Sequence, residues 1–295
     1  MHRMLALRLA AATAGATALL AAPAAAATPV GGALYGGGAE TVDGDMPEYT
    51  TIRVQKGAER LNFYGEWALR CTGGGEDLSF VTAEDVRLRR DGSFSGEGAI
   101  EGEGPLGSQS GTFTFSGRFT ARHIAKGVAR ADVDQTLTAG GGAACTTGRF
   151  RFTVIDAQQR GAIATPKAGA QFYGSTSQTY PALLRLDGRG RALTFASVEY
   201  ELACEGAEPL FLDERMPARF IDLERDGTFS GTETFTDQAT VNGSPLEVTA
   251  RLEGAFRRGK VRGTWRMTAV ARDPATGAQT ATCSSERITF RVARG

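Results

Sequence analysis

Few side chains in this sequence of 295 residues could do chemistry, and their spacing narrows what that chemistry would be. Beyond residue 27 the one histidine is His123, in ARHIAKG. A serine or cysteine nucleophile ordinarily needs such a base beside it. A second copy of the surrounding pattern has Lys260 there, so the fold does not require His123, and a surface histidine is expected. Neither a G-x-S-x-G elbow nor an H-E-x-x-H pair occurs. Two carboxylates could hydrolyse a glycoside without histidine. Glu66 and Glu199 hold matching positions in GEWALRC and VEYELAC, flanking inward aromatics and so pointing away from the core. They belong to different repeats, would need close docking to act together, and are expected to be solvated strand residues. Asp43-Gly44-Asp45 has oxygens suited to calcium but lacks the spaced loop, and reads as an acidic turn. No glycine-rich strand-to-helix loop is present to cradle phosphate. No catalytic residue, metal ligand or cofactor follows from these patterns.

The cysteines are more informative. Cys71, Cys145, Cys204 and Cys283 form an even set with no Cys-x-x-Cys spacing, and zinc would find only one further histidine beyond residue 27. Disulfides are the expected use in an exported chain. Of three possible pairings, Cys71 with Cys145 and Cys204 with Cys283 is the one that lets two repeats fold alike.

Export is expected from residues 1–27. Arg3 and Arg8 precede an Ala/Leu run that ends in Ala25-Ala26-Ala27, the form of a cleaved signal peptide. No later stretch is apolar enough to span a bilayer. The expected location is secreted or associated with the cell envelope, with no transmembrane anchor in the mature chain. Losing Arg3 and Arg8 takes the 33 basic residues to 31, against 33 acidic ones. That balance argues against a nucleic-acid partner held by bulk charge.

The elements that would position any site come in two copies. RRDGSFSG (89–96) returns as ERDGTFSG (224–231), YGGGAE (35–40) as YGSTSQ (173–178), TFSGRF (114–119) as RLEGAF (251–256) and CTTGRFRFTV (145–154) as CSSERITFRV (283–292). Between them, residues 156–169 lack any sustained period and contain Pro166. The expected organisation is a β domain over 33–156, a linker over 157–168 and a second β domain over 169–295. Period-two alternation dominates both copies. Leu246, Val248, Ala250, Leu252 and Phe256 share one face, as do Phe113, Phe115 and Phe119. Trp67, Leu69 and Cys71 match Tyr200, Leu202 and Cys204. After Cys145 and Cys283 the stripe changes phase, which calls for a turn or bulge. The Asp-Gly pairs at 91–92 and 226–227 suit a type I′ turn. The fold class is all-β: two tandem antiparallel β-sandwiches of about seven or eight strands each, with up-and-down barrels as the architectural alternative.

Gly65-Glu66-Trp67 has the G-x-W form of the first lipocalin strand, but it falls on about the third strand here and carries over no ligand site. More broadly, the units resemble those of a group of exported proteins from GC-rich actinobacteria. The shared features are Tyr35 and Tyr173 before glycine, Cys71 and Cys204 closing a middle strand, the D-G-x-F-S-G turns, the G-x-F strands at 117–119 and 254–256, and late Cys145 and Cys283. The resemblance implies the Cys-bridged all-β fold and no activity. The expected function is therefore a non-catalytic binding or envelope role, with a glycan, peptide or other envelope component as partner. The copies differ most in 36–50 and 72–84 against 174–181 and 205–217, and binding loops are expected there. A carboxylate-dependent hydrolase of envelope polymers is the alternative, and a protease inhibitor a third possibility.

Overall fold

A computed structural model describes residues 27–40, 47–104, 107–137, 140–157, 167–205, 207, 209–216, 221–241, 243–257 and 260–295. The expected signal peptide up to residue 26, most of the expected linker and the acidic residues 43–45 lie outside them. The first sheet holds β1 (Leu34–Glu40), β2 (Pro47–Val54), β3 (Arg60–Cys71), β4 (Glu76–Arg87), β5 (Ser93–Gly104), β6 (Gly107–Ala121), β7 (Ile124–Leu137), β8 (Gly142–Thr146) and β9 (Phe150–Ile155). The second holds β10 (Gln171–Thr176), β11 (Pro181–Leu186), β12 (Ala192–Cys204), β13 (Leu210–Met216), β14 (Ile221–Asp222), β15 (Thr228–Val241), β16 (Ser244–Arg257), β17 (Lys260–Arg272), β18 (Gln279–Ser284) and β19 (Ile288–Arg294).

All pairings are antiparallel, in the order β4-β3-β2-β1-β9-β7-β6-β5, and the second sheet repeats this as β13-β12-β11-β10-β19-β17-β16-β15. The late strand β9 inserts between β1 and β7, so the order is not that of a simple up-and-down barrel. Below β2, β1 and β9, β8 alone bridges β3 and β7. The sheet narrows there and curls. Phe63 of β3 consequently stacks on Phe115 of β6, with ring centroids 3.9 Å apart and 10° between planes. Each unit is thus one continuous sheet bent until its flanks face each other, between a sandwich and a barrel in form.

The sequence stripes point as their period requires. Leu246, Val248, Ala250 and Leu252 are buried, as are Phe113, Phe115, Phe119, Trp265 and Met267. Trp67 meets Phe63, Phe113 and Phe150 edge-on. Burial of each such ring contributes roughly 1.5–3 kcal/mol. The interior is packed with rings, which leaves no room for the ligand of a hollow barrel.

The repeated turn differs from its sequence-based expectation. Gly92 has φ 72° and Gly227 φ 81°, but neither preceding Asp has positive φ, so this is not a type I′ turn. Gly92 N–H donates to Arg89 O and Gly227 N–H to Glu224 O, in each case a type I turn closed by a left-handed glycine. Asp91 and Asp226 accept from the backbone and hydroxyl of the residue two positions on, Ser93 or Thr228. The rest of the motif is a cross-strand fit. Phe94 lies opposite Gly117 and Phe229 opposite Gly254, and a Cβ on either glycine would fall 2.5 Å or 2.3 Å from the ring.

Disulfides join Cys71 to Cys145 and Cys204 to Cys283, 74 and 79 residues apart, as the symmetric pairing requires. The phase change is a full break: β8 ends at Thr146 and β9 starts at Phe150, with Gly148 at φ 61° between them. One alignment is corrected by a residue. Tyr35 corresponds to Phe172, each buried with its ring against Phe119 or Phe256, whereas Tyr173 faces the outside of its sheet.

Candidate functional site

Ladder registers place three rows of side chains across the outer face of the first sheet. Leu34, Arg53 and Asn62 form the first, Gly36, Thr51, Tyr64 and Thr82 the second, and Gly38, Tyr49, Glu66 and Phe80 the third. The second unit covers part of this face. Tyr49 and Ile155 pack with Tyr173, Leu183, Phe195 and Ala293, the outer residues of β10, β11, β12 and β19. The Tyr49 hydroxyl is hydrogen-bonded to Ser197 Oγ, both buried. The approach depends on Gly36, where a Cβ would lie 2.2 Å from Gly174 O and 3.1 Å from Ser175 Cβ.

Where that cover ends, a cleft of about 610 Å³ remains, within the range of ligand sites. Leu34, Thr51, Arg53, Asn62, Tyr64, Phe80, Thr82 and Glu84 of the first unit line it, with Thr179 and Tyr180 of the second. Phe80 is 52% exposed, and among the described residues Leu137 is the only other exposed large apolar side chain. An aromatic ring on a strand face gains most free energy by burial, so this degree of exposure beside two tyrosines marks a surface suited to a partner.

Both rims of the cleft hold strained backbone. Thr179 has φ 74° in the turn between β10 and β11, where Gly92, Gly190 and Gly227 occupy the corresponding places of other turns. Left-handed backbone costs an L-residue about 1–2 kcal/mol. The turn is fixed from several sides: Thr179 N–H donates to Thr176 O, Ser177 N–H to Thr289 O, and the Gln178 amide both donates to Glu201 O and accepts from Glu201 N–H. On the opposite rim, β4 bulges against β3, with Asp85 at φ 53°. Asp85 N–H donates to Asn62 Oδ1, Gln55 Nε2 donates to Asp85 Oδ1 at 2.6 Å, and Arg60 donates to Asp85 O. Bulges re-aim neighbouring side chains, and the next residue back, Glu84, lines the cleft.

The residues singled out in sequence sit differently from expectation. Glu66 is 1% exposed rather than solvated, because the sheet's outer face is partly covered by the second unit. Glu199 lies opposite Asp213 on β12, and its side chain is outside the described residues. His123 is not a free surface residue: its Nδ1 lies 3.2 Å from Oδ2 of buried Asp156. Among the described residues no hydroxyl is hydrogen-bonded to the other ring nitrogen. No three His, Cys, Asp or Glu side chains gather as metal ligands among the described residues. Glu48 is 4% exposed, and burial raises its pKa to about 8 against weaker opposing effects of the Ala68 N–H and Arg70.

Two of the four divergent segments reach the cleft. Residues 174–181 supply the Thr176–Tyr180 turn, and 72–84 supply Phe80, Thr82 and Glu84, although from strand β4 rather than a loop. Sequence reasoning missed Tyr64, Arg53 and Asn62, whose signal was a polar and aromatic outer stripe on β2 and β3. The two disulfides fit an oxidising, extracellular compartment. No helix among the described residues is long and apolar enough to cross a membrane. No family model, curated protein or solved structure matches the chain.

Proposed function

We propose that this chain is an exported, non-catalytic binding protein of the cell envelope or its surroundings, holding its ligand in the cleft between the two units. One observation carries the reading: both interiors are packed with aromatic rings, while exposed Phe80 stands with Tyr64 and Tyr180 around an open cleft. A pinned, strained turn on one rim and a pinned, strained bulge on the other support it, because strain of this kind persists where a surface needs a fixed shape. Export rests on the signal-like residues 1–27 together with the disulfides.

The hydrolase alternative draws less support. Glu66 is buried, and among the described residues the carboxylate lining the cleft is Glu84, in the β4 bulge across from Asn62. Asn62 and Glu66 are four residues apart along β3, roughly 13 Å at strand spacing. Paired glycosidase carboxylates stand about 5–9.5 Å apart.

The test is a calorimetric screen of residues 28–295 against envelope polymers, oligosaccharides and peptides, repeated with a Phe80→Ala/Tyr180→Ala variant. A ligand that binds the parent and loses about 10- to 100-fold in affinity in the variant supports the cleft. Binding that the variant leaves unchanged refutes it, provided both proteins melt alike.

A further inference from the structure

Resting on the cleft as the binding site, we propose that its ligand is an uncharged glycan chain. The lining combines aromatic rings (Tyr64, Phe80, Tyr180) with groups that donate or accept hydrogen bonds (Asn62, Thr82). A pyranose ring has a matching character, with flat C–H faces that lie against aromatic rings and an equatorial rim of hydroxyls. The aromatic faces provide contact at low entropic cost, and the polar groups fix orientation.

Charge selects within the glycans. Among the described residues the lining carries one cation, Arg53, and one anion, Glu84, and these bring no net sign with which to attract a polyanion or a polycation. A uronate or phosphate-bearing chain would set its anions against Glu84 with only Arg53 in compensation. Neutral hydroxyls can use both groups, accepting from the guanidinium and donating to the carboxylate, as charge-assisted hydrogen bonds.

Other ligand classes fit less well. An extended peptide commonly binds by adding a strand to a free sheet edge. Here the cleft floor is a sheet face built on β1, β2 and β3, each paired on both sides, with β4, the terminal strand of the sheet, paired on one. A peptide lying there would leave its own N–H and C=O groups to a few side chains. A fatty chain needs an enclosed apolar cavity, whereas this cleft is open and interleaved with threonines, Asn62 and two charges.

The experiment is titration calorimetry of residues 28–295 with neutral hexasaccharides of glucose, mannose and N-acetylglucosamine, a hexagalacturonate, an uncharged hexapeptide and palmitate. Phe80→Ala, Arg53→Ala and the parent are compared, with melting curves as the folding control. The expected result is binding of at least one neutral hexasaccharide, unchanged by 0.5 M salt and weakened at least tenfold by Phe80→Ala. Tighter, salt-sensitive binding of hexagalacturonate overturns the neutral-glycan assignment. Binding of peptide or palmitate alone, still lost in Phe80→Ala, overturns the ligand class and leaves the cleft standing. Glycan binding indifferent to both substitutions overturns the cleft itself, and no binding of any neutral hexasaccharide overturns the proposal.

Discussion

Replacing Glu48 by Gln should remove a pH dependence that the parent carries. Glu48 shares the inward face of β2 with Thr50 and Ile52, and its Oε2 accepts from Ala68 N–H of β3 at 2.9 Å. Burial raises its pKa from 4.5 to about 8. An acid whose folded pKa is raised favours the fold fully below its unfolded pKa and progressively less as pH rises towards the folded value. At 1.36 kcal/mol per unit, the loss reaches about 3 kcal/mol at pH 7 and about 5 kcal/mol above pH 8, where it stops growing. A glutamine keeps the carbonyl that accepts from Ala68 and has no proton to lose. Urea unfolding of both proteins at pH 4.5, 6, 7 and 9 should show nearly equal midpoints at pH 4.5. Glu48→Gln should then become the more stable by a margin that widens up to about pH 8 and stays constant beyond. A constant margin across this range, or one that narrows with rising pH, would refute the reasoning.

Two further perturbations address the frame of the cleft. Gly36→Ala would set a methyl 2.2 Å from the Gly174 carbonyl oxygen, a backbone atom that cannot swing aside. Overpacking of this kind costs about 1–3 kcal/mol, so thermal unfolding should come earlier and the amide signals of Tyr173 and Leu183 should shift. Gly57→Ala, with nothing within 4 Å, is the control and should melt like the parent. Removing the first bridge with Cys71→Ala/Cys145→Ala should cost about 4 kcal/mol by loss of a 74-residue closure, measured by denaturant melts. Peptide mapping of the parent without reductant should find no crosslink between the two units.

The sequence made the inner faces legible because burial has a period. Leu246 to Leu252 alternate as a half-buried strand must, and the matched cysteines and the phase change after them located the bridges and the break before β9. The outer face carried no such signal. Gly36, Thr51, Glu66 and Ser197 are small or polar, the usual look of solvated positions, yet Glu66 and Ser197 are buried, Ser197 against Tyr49 of the other unit. The turn type was ambiguous, since Asp-Gly suits both a type I′ turn and a type I turn closed by a left-handed glycine, and the flanking pairing decides. The Tyr35–Tyr173 match failed because Tyr-Gly recurs in both copies while ring burial follows the ladder, which sets Tyr35 against Phe172. The cleft was out of reach for a related reason. Tyr64, Phe80 and Tyr180 come from two strands and a turn, and from both repeats, so their meeting depends on long-range pairing and on how the two units dock.

The most direct measurement is an NMR titration of residues 28–295, with labelled Phe and Tyr rings, against the neutral hexasaccharide that binds most tightly. The expected result is saturable shifts of the Phe80, Tyr64 and Tyr180 ring signals, with intermolecular contacts to sugar C–H protons, while the interior rings of Phe63 and Phe115 stay fixed. Shifts confined to other surfaces, or movement of the interior rings with Phe80 unchanged, would contradict the account.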